Sequence, residues 1–424
     1  MEVKPGYKQT EVGAIPEDWN AKPLHEDILL LSGHHVLARN CNVQGDGFPY
    51  LTGPADFPNG VIHQTKFTNN PTTLCQEGDI LVTVKGSGSG TLIESDASYC
   101  ISRQLMAIRV KEWDAKFLFY SLLQNASRIK DASTGLIPGL SRSDILNQKI
   151  PLPPLHEQRS IAAALSDVDA LIKALDKLIA KKRDIKQAAM QELLTGRRRL
   201  PRFEGERGYK QTEVGFIPRE WDIITLGELF TFKNGLNKNK EYFGHGTPIV
   251  NYMDVYKRSG IHESDLKGRV SLTRQEIKTY EVRKGDVFFT RTSETVDEIG
   301  IASVMLDDPK NTVFSGFVLR ARPKNDLLDN HFKSYCFASK DVRRSIVSTC
   351  SYTTRALTNG RLLSAVIIPL PPILEQTAIA SVLSDMDAEI TALEASRDKT
   401  KALKQGMMQE LLTGRIRLVE GGAA

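Results

Sequence analysis

Residues 151–200 read "PLPPLHEQRSIAAALSDVDALIKALDKLIAKKRDIKQAAMQELLTGRRRL", and residues 369–418 read "PLPPILEQTAIASVLSDMDAEITALEASRDKTKALKQGMMQELLTGRIRL". The two stretches agree at 29 of 50 positions without a gap, at an offset of 218. Each begins at a proline pair, and proline is tolerated in a first helical turn. Apolar residues then recur in alternating steps of four and three: Ile161, Leu165, Val168, Ile172, Leu175 and Ile179 in the first copy, Ile379, Leu383, Met386, Ile390 and Leu393 in the second. That spacing is a coiled-coil seam. No glycine or proline interrupts residues 155–195, and Gly196 stands where a helix-terminating residue belongs. Roughly 40 residues rising about 1.5 Å each give a helix of about 60 Å. The matched seams predict that the two helices pack on each other, antiparallel and with pseudo-twofold symmetry. Lys182, Lys186, Arg397 and Thr400 fall where the seams would continue, which predicts that the register drifts or loosens there. Gly406, inside the second copy, predicts a slightly weaker last stretch.

A second repeat precedes these helices. Residues 7–19, "YKQTEVGAIPEDW", return at 209–221 as "YKQTEVGFIPREW", identical at 10 of 13 positions and offset by 202. The chain is therefore a duplication. Each half has an opening phrase, a variable block and a closing helix, and the second block is longer by 16 residues, the difference between the two offsets. This gives an α+β organisation: a mixed α/β block over 1–150, a helix over 151–200, a linker at 201–208 ("PRFEGERG"), a second block over 209–368, a second helix over 369–418 and a tail at 419–424. Inside the blocks, "GFPYL" (47–51) answers "GTPIVN" (246–251), and "EGDILVTV" (77–84) answers "KGDVFFTR" (284–291). These read as β-strands beside Gly-Asp turns. "FLFYSLLQNASRIK" (117–130) and "HFKSYCFASKDVRRSI" (331–346) read as short helices.

Composition bounds the function. With 25% charged and 41% hydrophobic residues the 424-residue chain has a globular balance, long enough for two to four domains. A formal net charge of +5 permits an anionic partner without demanding one. Five scattered cysteines form no CxxC pair, which argues against a structural zinc site. The polar N-terminus predicts no signal peptide, and no window approaches eighteen apolar residues, so the expected location is cytoplasmic. "KGSGSGT" (85–91) lacks the GK[ST] of a P-loop, and "HEQRS" (156–160) lacks the second histidine of HExxH. No GxSxG elbow, dinucleotide GxGxxG or [ND]PP[FY] methyltransferase motif occurs. No catalytic constellation, metal site or bound cofactor is expected of this chain.

The loops, unlike the frame, do not repeat. "KGSGSGT" in the first half faces "TSETVDEIG" (292–300) in the second, and "STGLIPGLSRSDI" (133–145) faces "SYTTRALTNGRL" (351–362). A retained scaffold with divergent loops points to recognition of two different things. Arginine and asparagine read purine edges in the major groove, and Ser, Thr, Lys and glycine backbone serve phosphates. The candidate DNA-contacting residues are therefore Lys85, Gly86, Ser87, Ser89, Thr134, Gly135, Ser141 and Arg142 in the first half, and Arg291, Thr292, Ser293, Thr353, Thr354, Arg355, Asn359 and Arg361 in the second.

Two variable blocks, each closed by "IPLPPLHEQRSI" (150–161) or "IPLPPILEQTAI" (368–379) and a long helix ending "QELLTG" (191–196, 409–414), resemble the specificity (S) subunit of type I restriction–modification systems. The openings "IPEDW" and "IPREW" and the turns "GDIL" and "GDVF" fit as well, so the resemblance spans essentially the whole chain. It implies two target recognition domains, each reading one half-site of a split, asymmetric double-stranded DNA target, with the helices as spacer. It implies no catalysis by this chain. Two adenine-methylating M subunits using S-adenosylmethionine, and R subunits that use ATP and Mg to translocate and cleave DNA, are the expected partners. The repeated phrase and helices would then offer two identical partners the same surface twice. The rival reading is a coiled-coil scaffold whose blocks bind proteins rather than DNA, and a third is an enzyme whose site goes unrecognised.

Overall fold

The computed structural model describes residues 4–86, 88–126, 139–204, 208–352 and 355–418. Its two compact units do not follow the sequence repeat. The first comprises Met1–Lys177 with Ala395–Ala424, the second Leu178–Glu394. Each unit thus joins its own variable block to the start of its own closing helix and to the far end of the other half's closing helix.

The closing helices are continuous over Leu155–Leu193 and Ile373–Leu411, 39 residues each. Each follows a strand that pairs antiparallel with the residues just after the opening tryptophan: Asn20–Pro23 with Lys149–Leu152, and Asp222–Thr225 with Ile367–Leu370. The opening phrases themselves form two-stranded hairpins, Tyr7–Thr10 with Gly13–Pro16 and Tyr209–Thr212 with Gly215–Pro218.

Both blocks carry an antiparallel sheet with the same strand order. In the first unit it runs Ile28–Ser32, Leu105–Val110, Ile80–Thr83, Leu92–Glu94; in the second, Phe230–Asn234, Val318–Pro323, Val287–Thr290, Ala302–Met305, with Gly260–Ile261 added in parallel. The all-buried central strands Ile80–Thr83 and Val287–Thr290 are the ones that follow the Gly-Asp turns. Those turns have a buried purpose. Asp79 accepts two hydrogen bonds from Arg109 at 2.9 and 2.7 Å, and Asp286 accepts two from Arg322 at 2.8 and 2.7 Å. Gly78 and Gly285 sit at φ +83° and +82°, where a side chain would be strained. The block helices form over Ala115–Gln124 in the first half and, in the second, as two segments, Asn330–Cys336 and Lys340–Thr349. The expected single helix over 331–346 breaks because the Ser339 hydroxyl caps a new one, accepting from Val342 N.

Within each unit the helix segments run antiparallel. In the first, Asp169 meets Lys404 (2.7 Å) and Asp176 meets Arg397 (3.4 Å). In the second, Lys186 meets Asp387 and Lys182 meets Glu389 (2.6 Å). Seam residues Ile161, Leu165, Ile379, Leu383 and Ile390 are buried, and Val168, Ile172, Leu175, Met386 and Leu393 are half-buried. The expected loosening at Lys182, Lys186, Arg397 and Thr400 does not occur. All four are half-buried at continuing four-and-three steps. The three cations lay their aliphatic stems in the seam and carry their charge out to a carboxylate on the facing helix. Gly406 does not interrupt its helix; it is exposed, and a β-carbon added there would have nothing within 4 Å.

Candidate nucleic-acid interface

What positions the loops is a joint built twice. Glu157, in the first turn of its helix, is fully buried. It accepts from Trp19 Nε1 at 3.0 Å and from Arg417 Nε and Nη2, both at 2.7 Å; Arg417 also forms a two-pronged contact with Asp18 at 2.9 and 2.7 Å. In the second unit, fully buried Glu375 accepts from Trp221 Nε1 at 2.9 Å and from Arg199 at 2.9 and 2.7 Å, and Arg199 also reaches Glu220. A carboxylate in a first helical turn is favoured by the helix dipole, and the arginine fork supplies the charge that its burial requires. The Arg417 guanidinium holds the Asp18 carboxyl below its ordinary range. Next to each glutamate, Gln158 and Gln376 accept from the backbone N of Asp114 and Asp329, at 2.9 and 2.8 Å, and so tie the helix to the block.

The arginines come from the other half of the sequence. Gly414 (φ +72°) and Gly196 (φ +68°) end the two helices against Pro16 and Trp19, and Pro218 and Trp221, where an added β-carbon would lie 2.5 and 2.4 Å from a proline ring. Tyr7 and Tyr209 donate from their hydroxyls to the carbonyls of Gly414 (2.8 Å) and Gly196 (3.1 Å). Ile15, Trp19, Leu411 and Leu412 share one core, as do Ile217, Trp221, Leu193 and Leu194. Much of the repeated phrase is thus consumed inside the chain, receiving a helix end. A third repeated contact is Tyr120–Asp169 (2.8 Å) with Lys404, matched by Tyr335–Asp387 (3.0 Å) with Lys186; burial raises the pKa of both phenols.

On this frame each unit brings two sequence-distant loops together. In the first, Lys85 bridges Gly139, and Leu140 N donates to Val84 O at 2.9 Å. Exposed Lys85, Gly86 and exposed Arg142 therefore belong to one loop pair; Arg142 donates to Ser32 Oγ at 2.8 Å. In the second, Thr292–Ser293 pairs with Ala356–Leu357, which pairs with Ser351–Tyr352. Thr358 N donates to Arg291 O at 3.0 Å. Arg355 and Arg361 are exposed, with Glu294 3.7 Å from Arg355. Ser87, Thr134, Gly135, Thr353 and Thr354 lie outside the described residues. Three candidates have structural work of their own, and a fourth, Ser89, is buried with its hydroxyl unpaired among the described residues. Ser141 and Asn359 are helix N-caps, accepting from Asp144 N (3.2 Å) and Leu362 N (3.0 Å). Ser89 and Ser293 are buried, Ser293 against Glu298 at 3.2 Å.

Residues the sequence reading passed over also border the second loop pair. Tyr352 is exposed on the outer strand. Tyr252 and Tyr256 stack at 5.8 Å, and Tyr256 donates to Glu298 at 2.8 Å. Arg343 donates to the carbonyls of Asp297, Ile299 and Gly300 and so fixes the turn of the 292–300 loop. The aromatic-rich "NYMDVYKR" (251–258), following a strand end, was the available signal.

A family model described as the type I restriction modification DNA specificity domain matches residues 16–182 and again residues 218–404. The chain belongs to this family. Among relatives of the specificity family, the MjaVIII specificity subunit of Methanocaldococcus jannaschii is 25% identical over 418 residues, covering 97% of this chain and 96% of that one. The EcoKI specificity subunit of Escherichia coli K12 is 24% identical over 432 residues, covering 96% and 90%. The crystal structure of a type I restriction–modification S subunit from M. genitalium has the same fold, with a TM-score of 0.56 at 17% identity over 97% of this chain and 98% of that one. Both family matches include a loop pair, so the chain carries two DNA specificity domains. Among the described residues no helix is long and apolar enough to cross a membrane, and no three His, Cys, Asp or Glu side chains gather as a metal site.

Proposed function

We propose that this chain is the subunit that chooses the DNA sequence for a type I restriction–modification complex, reading a bipartite, asymmetric target with one half-site for each variable block. One observation carries the reading: the joints and Gly-Asp clamps are built twice from the same residue types, while the loop pairs they hold differ in sequence and local structure. A frame made twice with unlike loops suits two unlike half-sites. Exposed cations on those loops (Lys85, Arg142, Arg355, Arg361) suit phosphate and base-edge contacts in a duplex.

The two long helices act as the spacer whose length sets the gap between half-sites. Two methyltransferase subunits, which bring S-adenosylmethionine, dock on the duplicated frame, and restriction subunits bringing ATP and Mg join them. Methylation, translocation and cleavage are the work of those subunits, and the complex operates in the cytoplasm. The test is to replace residues 20–140 by the corresponding block of another family member and read the methylated sequence genome-wide. One half-site should change while the other half-site and the gap are retained. A change in both, or in neither, contradicts the reading.

A further inference from the structure

The strand that carries each clamp arginine starts from a tight turn, and that turn is built the same way in both units. Leu105 N donates to Ser102 O at 2.9 Å, and Val318 N donates to Ser315 O at 3.1 Å. The serine that opens each turn is tied down from behind: Ser102 N donates to Leu51 O and Ser315 N to Val250 O, both at 3.0 Å. Ser102, Leu105, Ser315 and Val318 are buried. The two residues at each tip diverge: Arg103 and Gln104 in the first unit, Gly316 and Phe317 in the second. Gln104 and Phe317 correspond, each standing five residues before its clamp arginine, Arg109 or Arg322.

The tips lie at the loop end of each sheet. Val84 N donates to Gln104 O at 2.8 Å, so Gln104 adjoins the strand end that leads into Lys85. Thr290 pairs with Val318, which sets Phe317 opposite Arg291 in register. Arg103 and Gln104 are exposed, and Phe317 is 68% exposed. Gly53 leaves room for the Gln104 amide: a β-carbon added there would lie 2.3 Å from Gln104 Oε1. In the second unit Gly316 N donates to Leu236 O at 2.7 Å, and a β-carbon on Gly316 would lie 2.0 Å from Asn237 Oδ1, so Phe317 is the side chain that this tip presents. A turn anchored on both sides holds its tip in place before binding, which lowers the cost of ordering it. The two tips have opposed chemistries. A glutamine amide donates and accepts, and matches N6 and N7 of adenine; a phenyl ring does neither, and matches the methyl of thymine.

We propose that Gln104 and Phe317 are specificity-determining residues at equivalent places, Gln104 reading an adenine edge in one half-site and Phe317 a thymine methyl in the other. This rests on the reading of the chain as a DNA specificity subunit. It goes further by adding a third reading element to each loop pair and naming the base that each one contacts.

The test uses the full chain with its methyltransferase subunit. The target is found by selection from a library of randomised duplexes, and each adenine in it is then replaced by 7-deazaadenine and each thymine by uracil, one at a time. At one adenine, loss of N7 should weaken wild-type binding by about fivefold or more, and Gln104→Leu should abolish that difference. Gln104→Glu should move the preference at the same position toward cytosine. At one thymine of the other half-site, loss of the methyl should weaken wild-type binding by about threefold, and Phe317→Ala should abolish that difference. Each variant should keep the wild-type preferences in the other half-site and the melting of the free chain. Variants that retain every wild-type discrimination, that lose affinity equally on all sequences, or that alter both half-sites would overturn the inference. A wild-type complex that selects no sequence from the library would instead overturn the reading on which it rests.

Discussion

The helix-end joints and the loop pairs lie in the same units and have opposite designs. At the joints, a buried glutamate, a tryptophan and an arginine recur with distances that agree within 0.2 Å between the units. In the loops, the described residues of one unit meet in a β-bridge between Lys85 and Gly139, and those of the other in a three-stranded sheet around Ala356–Leu357. The joint glutamates and tryptophans are buried and satisfied by one another and by an arginine, whereas the loop cations Lys85, Arg142, Arg355 and Arg361 are exposed. Side-chain pairing is therefore concentrated where the halves agree, and under the proposed function recognition falls where they differ.

Four expected outcomes can break or sharpen that contrast. Glu375→Ala leaves the Arg199 guanidinium, whose side chain is only 10% exposed, without its main counter-charge, and leaves Trp221 Nε1 unpaired. It should cost roughly 3–5 kcal/mol, read from hydrogen exchange in the second unit, and Glu157→Ala should do the same in the first. A loss below about 1 kcal/mol in either would remove the joint from the account. Arg355→Ala should leave stability within about 0.5 kcal/mol. If Arg355 reads a base edge, it should cost about 1–3 kcal/mol of DNA binding and relax one position of the target; an equal loss on every sequence would make Arg355 a phosphate contact.

Gly406→Ala, at an exposed helical site with free space, should stabilise the chain by about 0.5–1 kcal/mol in a denaturant titration, and destabilisation there would mean the helix needs its glycine. The smallest effect concerns acid. Arg417 lowers the folded-state pKa of Asp18, so the Asp18 contribution is complete above the ordinary carboxylate value of about 3.9 and is lost as pH falls below it through the depressed folded value. The melting difference between wild type and Asp18→Asn should be present at neutral pH and close on acidification. A difference that grows in acid would contradict this assignment.

Much of the frame was legible because it rests on local patterns. Heptad spacing, proline starts and glycine stops marked both long helices, and Gly-Asp turns marked the buried central strands. The contacts that complete the frame were not legible. Arg417 and Glu157 are 260 residues apart, and nothing near either names the other. Arg109 and Arg322 likewise sit in strands far from the aspartates they hold. At the loops, residue type alone does not separate a nucleic-acid contact from a helix cap, for a physical reason. Hydroxyls and amides suited to phosphates and bases are also the groups that cap helices, as Ser141 and Asn359 do. Charges at seam positions suggested loosening because the pattern records polarity and not the reach of a long stem, and Lys182 and Lys186 reach carboxylates across the seam.

The division of labour between frame and loops is tested most directly by a graft confined to the second loop pair. Residues 294–297 and 351–355 are replaced together by the corresponding residues of another family member, and the methylated target and the melting temperature are measured on the same complex. The account predicts a new sequence in one half-site, an unchanged second half-site and gap, and melting close to wild type. An unchanged target accompanied by a fall in melting as large as that of Glu375→Ala would contradict it.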